Sequence, residues 1–196
     1  MNMKPNINNG IKFTQDNLDQ TLQFLNKFAP DRDTWTFQTF DDNAGRKDRT
    51  LAKIYNGTLT QHYESLKLLN QKGAGVFVTV NQTDGTGRKA ENIVSVDAVW
   101  IEDDEGTAKS PLEPHIVVES SPKKYHNYFL LENASKQDFQ RIQEALVANW
   151  GSDPNAKDIS RVLRLPGFYH QKVNTKKGLN GEPWLVKVIG GLRYAE

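Results

Sequence analysis

The chain has 196 residues, 37% of them hydrophobic, with no cysteine and a formal net charge of only +1. That length and apolar content suffice for one well-buried core, while the missing cysteines exclude disulfides and thiolate zinc sites and leave oxygen or imidazole donors for any metal. The near-zero charge excludes coating of nucleic acid by bulk attraction alone, and no apolar stretch approaches the roughly 20 residues that cross a bilayer.

The start, Met1-Asn2-Met3-Lys4-Pro5, lacks the apolar core of a signal peptide, so a cytoplasmic chain with no membrane partner is expected. Next, Leu18, Leu22, Leu25 and Phe28 recur at spacings of three and four and predict a helix with that stripe inward, Thr14 as its cap and Pro30 as its stop. Thr34 to Phe40 is aromatic, β-branched and begins with alternation, which predicts a strand running into the polar turn Asp41 to Gly45. A second helix is predicted over Leu59 to Gln71, with Leu59, Tyr63, Leu66 and Leu69 inward and Gly73 ending it.

The pattern then changes to strands at Val76 to Val80 and Ile93 to Ile101, separated by a loop with Asp84, Gly85 and Gly87. Further strands are predicted at His115 to Glu119 and Tyr125 to Leu131. Ser135 and Asp138 form a capping-box pair that opens a third helix, with Phe139, Ile142, Leu146 and Trp150 inward before Gly151. Short strands near Val162 to Leu165 and Trp184 to Ile189 complete the sheet. Helices and strands mix without a regular βαβ period, so the fold class is α+β.

The chemistry concentrates in a few places. The apolar run Ala98-Val99-Trp100-Ile101 leads into Glu102-Asp103-Asp104-Glu105. Alternate side chains of a strand share a face, so Glu102 and Asp104 point one way and Asp103 the other. Crowded carboxylates repel, and a divalent cation relieves that repulsion without raising their pKa values; an exposed acidic turn explains an isolated acid run equally well. Between Lys157 and Lys177 the cations Lys157, Arg161, Arg164, Lys172, Lys176 and Lys177 face a single acid, Asp158. Opposed local fields suit a metal site beside a phosphate site, and the guanidinium forks of Arg161 and Arg164 match phosphate geometry. The bland alternative pairs these arginines with Asp153 and Asp158 to hold a loop. His126 follows the turn Ser121-Pro122-Lys123-Lys124 and can bond a phosphate oxygen, with Lys123 or Lys124 adding charge; a structural histidine is the competing reading. Arg88 and Lys89, in the glycine-containing loop, are candidates for template phosphates.

Together these stretches resemble the catalytic domain of archaeo-eukaryotic-type primases, most closely the RepB-like replication primases of plasmids and phages, over Gly73 to Ile189. The motif of an apolar strand ending in acid-x-acid corresponds to Glu102-Asp103-Asp104, the histidine motif to Lys124-Tyr125-His126, and the later aspartate with R-x-x-R-L-P-G and a lysine to Asp153, Arg161 through Gly167, and Lys172. The resemblance implies an RRM-like antiparallel or mixed sheet with flanking helices beside a smaller αβ unit, expected here as a single domain with residues 1–72 forming the αβ unit and 73–196 the catalytic sheet. It also implies templated primer synthesis from NTP or dNTP on single-stranded DNA with two ions, Mg2+ or Mn2+, held by Glu102, Asp104 and Asp153. His126, Arg161, Arg164 and Lys172 would then hold the nucleotide, and Arg88, Lys89, Lys123 and Lys124 the nucleic acid. Asp103 stands as an alternative to Glu102 or Asp104, and Asp158 to Asp153. The first acid is Glu rather than the commoner Asp, and no helicase domain follows within the chain, so a replicative helicase is expected either as a separate partner or as a fused domain.

A replication-initiator module that binds an origin or single strands without catalysis is the competing class; it has no use for acids beside a basic groove. A rolling-circle nicking enzyme would need a close histidine pair, which His115 and His126 do not form.

Overall fold

The structure, a computed structural model, describes residues 11–171 and 182–193. Its helices are α1 (Gln15–Phe28), α2 (Leu59–Gln71) and α3 (Lys136–Trp150). Its strands are β1 (Trp35–Asp41), β2 (Lys53–Gly57), β3 (Ala74–Thr79), β4 (Gln82–Thr83), β5 (Ile93–Asp103), β6 (Ile116–Ser121), β7 (Lys124–Ala134), β8 (Val162–Arg164), β9 (Tyr169–His170), β10 (Trp184–Leu185) and β11 (Lys187–Gly190).

The strands form an antiparallel sheet of order β2-β1-β3-β8, a larger antiparallel sheet of order β11-β6-β7-β5-β4, and the short pair β10-β9. β3 and β8 lie beyond residue 72 in sequence yet hydrogen-bond in the same sheet as β1, so the two sheets interleave along the chain. One contiguous apolar core runs through both sheets, from Phe24, Phe28, Trp35 and Phe37 to Val99, Trp100, Tyr128 and Phe139.

Each helix is local sequence chemistry completed by packing. Thr58 and Ser135 accept from the backbone N–H of Gln61 and Asp138, whose side chains accept the cap N–H in return. Gly151, left-handed at φ +76°, ends α3 where predicted.

The α1 stripe differs from expectation. Its buried face is Asn17, Thr21, Phe24, Leu25 and Phe28, while Leu22 is 45% exposed. The reason is polar: Thr21 Oγ1 donates to the Pro166 carbonyl at 2.8 Å, and Asn17 Nδ2 to that of Gly167 at 3.0 Å. α1 therefore turns these two side chains toward the Pro-Gly turn after β8. In α2 the buried residue at the helix end is Asn70 rather than Leu69, because Asn70 bonds the Ala74 carbonyl and both backbone groups of Tyr169. β2 has no counterpart in the predicted elements.

The sheets are joined where β3 ends. Asn81, fully buried, accepts the N–H groups of Asp97 and Ala98 on β5 and donates to the Ile159 carbonyl. Arg32 bonds Asp97 at 2.9 Å with its guanidinium 3.9 Å from the Trp35 ring centre. Among the described residues no helix is long and apolar enough to cross a membrane.

Candidate active site

Between the ends of the two large sheets lies a cleft of about 450 Å³, lined on one side by Glu102, Asp104, Ser120, Ser121, Lys124 and His126, and on the other by Phe40, Phe77, Arg161, Val162, Leu163, Arg164 and His170. It brings together most of the residues that the sequence nominates.

The acids are delivered by β5, whose final residues are clamped by α3 and the loop after it. Gln143 of α3 is buried and bonds both the N–H and the carbonyl of Trp100, at 3.1 and 2.8 Å. Ser152 Oγ then accepts the Glu102 N–H at 3.0 Å, and the Asp153 N–H donates to the Glu102 carbonyl at 3.1 Å. The loop after α3 thereby pairs with β5 at residue 102 and sets Asp153 alongside. As the strand alternation predicts, Glu102 and Asp104 line the cleft while Asp103 is buried, its carboxylate accepting the N–H groups of Glu105 and Thr107.

Both cleft acids end on cations. Glu102 holds Arg161 through two parallel bonds of 2.7 Å, and Asp104 meets Lys124 Nζ at 2.9 Å. The Glu102 contact, more than any other, holds Arg161 above the ordinary arginine pKa. Asp153 borders a second pocket of about 280 Å³ together with Glu102, Asp103 and Asp104, and its carboxylate accepts from the backbone and side chain of Asn155. Asp158 caps the turn before β8 by accepting the N–H and hydroxyl of Ser160. Among the described residues, no three acids or histidines are grouped to hold a metal ion as they stand.

His126 is paired across β7 with Glu102 on β5 and Val118 on β6. Burial, reinforced by the positive charge of Arg164 and opposed by Asp104, pushes its pKa down to about 3, so the imidazole is neutral near pH 7. Its Nδ1 is buried without a partner among the described residues.

Arg164 is held by a residue that the motifs do not contain. Asp42, just past β1, accepts two bonds from its guanidinium at 2.8 and 3.0 Å, and the guanidinium lies 4.6 Å from the Phe77 ring centre. Gly75 makes room for the pair, since a Cβ there would stand 2.6 Å from both partners. That glycine is the one sequence signal of the contact. His170 lines the cleft too, its Nδ1 against the Ser120 carbonyl at 2.9 Å.

The remaining nominated cations sit outside the cleft. Arg88 bonds Gln38 and the Ser160 carbonyl, Lys89 is exposed and 3.6 Å from Glu91, and Lys123 is exposed at φ +62° in the turn joining β6 to β7. Lys172 lies outside the described residues.

Comparison with known proteins agrees with this architecture. A 148-residue stretch is 25% identical to Mobilization protein A of Escherichia coli, covering 72% of this chain but only 20% of that relative's length. The AEP domain of the Cyanophage S-2L Primase-Polymerase superposes with a TM-score of 0.67 at 21% identity, covering 88% of this chain and 89% of that one. Primase RepB′ superposes at 0.63 with 18% identity over 90% of this chain and 57% of that one, and the RepB′ catalytic domain in complex with initiator DNA at 0.59 with 20% identity over 89% and 87%. The α+β fold is thus that of primase catalytic domains. Residues 52–192 match the RepB DNA-primase N-terminal domain, and the chain belongs to that family.

Proposed function

We propose that this domain synthesises primers on single-stranded DNA, joining an NTP or dNTP to a 3′-hydroxyl, for replication of a plasmid, phage or other mobile element. One observation carries the reading: Glu102 and Asp104 share a cleft with His126, Arg161 and Arg164, so acids suited to hard cations face forks suited to a triphosphate. The complex of RepB′ with initiator DNA supports DNA as the partner.

The carboxylates fit Mg2+ or Mn2+ in donor chemistry, being hard oxygen ligands in a cleft that also admits an anion. Glu102 and Asp104 would hold two such ions, with Asp153 joining them from the pocket that the three acids share. Bound there, the ions supply charge stabilisation at the reacting phosphate and the leaving pyrophosphate. With an ion bound, Glu102, now paired with Arg161, would be one of its ligands, and the Arg161 fork would be available to phosphate oxygens. Lys124, paired with Asp104, would add positive charge beside them. His126, neutral, offers a hydrogen bond rather than a charge. Arg164 contacts phosphate from its fixed place on the opposite wall. Lys123, Lys124, Arg88 and Lys89 are proposed to contact template phosphates, and Lys172 the nucleotide. The whole chain acts as one catalytic domain in a cytoplasmic setting, with a replicative helicase as a separate partner or a fused domain.

A non-catalytic DNA-binding module draws on one observation, that Glu102 and Asp104 both end in ion pairs. Incubation with labelled triphosphates, single-stranded DNA and Mg2+ or Mn2+, with products sized on a gel, separates the readings. Products that need both template and metal are expected. Retention of DNA without any product would establish the binding module instead.

A further inference from the structure

We infer that Asp42 is a positioning residue of the nucleotide site, acting through Arg164 and through the backbone that follows β9. The assignment rests on the primer-synthesis reading and names a residue outside the span 52–192 that matches the family.

Three bonds converge on one buried carboxylate. Oδ1 accepts from Arg164 Nη2 at 2.8 Å, and Oδ2 from Arg164 Nη1 at 3.0 Å and from the Gln171 N–H at 2.8 Å. Asp42 is itself 6% exposed and anchored by its own N–H to the Gly73 carbonyl at 3.1 Å. The acceptor is therefore fixed before any ligand arrives.

The two bonds to Arg164 use two of the five N–H groups of a guanidinium and leave three for other acceptors. They also fix the plane of the fork, which lies against Phe77 on one wall of the cleft. A fork locked in orientation binds a phosphate without the loss of side-chain freedom that a mobile arginine would suffer. The third bond locates Gln171, next to His170 on the same wall. Asp42 thus ties the end of β1 to the cleft wall formed by β8 and β9. Arg161 contrasts with this arrangement, because its carboxylate partner Glu102 is itself a cleft acid.

The test is titration of the full chain with dATP and with inorganic triphosphate, in Mg2+, for wild type, Asp42→Asn, Asp42→Glu, Arg164→Lys and the double variant Asp42→Asn/Arg164→Lys, alongside primer-synthesis kinetics and thermal melts. Asp42→Asn should weaken dATP and triphosphate binding about tenfold, raising KM with kcat nearly unchanged. Asp42→Glu keeps the charge but shifts the acceptor by one methylene, so it should also raise KM several-fold. The double variant should lose less than the sum of the Asp42→Asn and Arg164→Lys losses, since both changes break the same Asp42–Arg164 contact. If wild type binds triphosphate and both Asp42 variants bind it equally well, at any melting temperature, Asp42 has no positioning role and only this assignment falls. If Asp42→Asn does not fold, Asp42→Glu alone decides by the same criterion. If wild type binds no triphosphate, the functional reading falls and takes this assignment with it.

Discussion

Two arginines three residues apart end in forks on acids of different kinds. Arg161 is paired with Glu102, an acid of the cleft, and Arg164 with Asp42, a buried acid outside every motif. In the proposed function Arg161 shares its acid with an ion and Arg164 does not. Arg161→Lys removes the fork but keeps the charge, so nucleotide KM should rise about tenfold, the equivalent of about 1.4 kcal/mol. Steady-state kinetics check this, and an unchanged KM would contradict it. Strand periodicity suffices to place Glu102 and Asp104 on one face and Asp103 on the other. It has no means of finding Asp42, because that contact spans 122 residues and Asp42, unlike Arg164, belongs to no motif. Nor does it reveal that both cleft acids are paired with cations.

Elements were legible where local signals and packing agree. α3 has its capping box, its apolar face and its terminal glycine in the sequence, and all three operate in the structure. One face of α1 departs from the apolar spacing because its inward side includes Asn17 and Thr21, which bind the carbonyls of Gly167 and Pro166. That contact explains why the motif ends in glycine. Gly167 lies at φ +89°, and a Cβ there would overlap Thr21 Oγ1 and the Asn17 carbonyl. Gly167→Ala should destabilise the fold by at least about 2 kcal/mol, from left-handed strain plus overlap. Denaturant titration measures it, and a loss under about 0.5 kcal/mol would show that α1 moves aside freely.

β2 is not legible in the sequence because it is an edge strand, Lys53-Ile54-Tyr55-Asn56-Gly57, which lacks a clear apolar alternation. The connection leading to it is organised by Asp41, whose carboxylate takes both bonds of the Arg46 fork at 2.8 Å and the Asp48 N–H at 2.7 Å. The Arg46 contact, against a smaller opposing effect of burial, lowers the Asp41 pKa from 3.8 to about 2. Between those values the unfolded chain takes up a proton that the native state refuses, so the stabilisation is complete above 3.8 and disappears as pH falls through 2. Asp41→Asn should therefore lose about 1 kcal/mol at pH 7, allowing for solvent screening, and the gap from wild type should narrow as pH drops from about 4 toward 2. Urea titrations across that range check it; a gap independent of pH would contradict it.

At the scale of the whole molecule, the site exists because two sheets that interleave in sequence are pinned together by Asn81 and Arg32. The α+β class was readable from the irregular order of helices and strands, and the family from three motifs. The partition of strands between sheets was not readable, since apolar alternation gives no pairing partners. The central claim is that the cleft acids serve chemistry rather than packing. Asp104, whose side chain is 58% exposed, is the acid whose removal disturbs the core least. The most direct test is primer synthesis by Asp104→Ala and wild type side by side, with single-stranded DNA affinity and melting temperature measured on the same samples. The account predicts at least about a hundred-fold loss of product with DNA binding and melting temperature nearly unchanged. An Asp104→Ala protein that makes primers at the wild-type rate would contradict it.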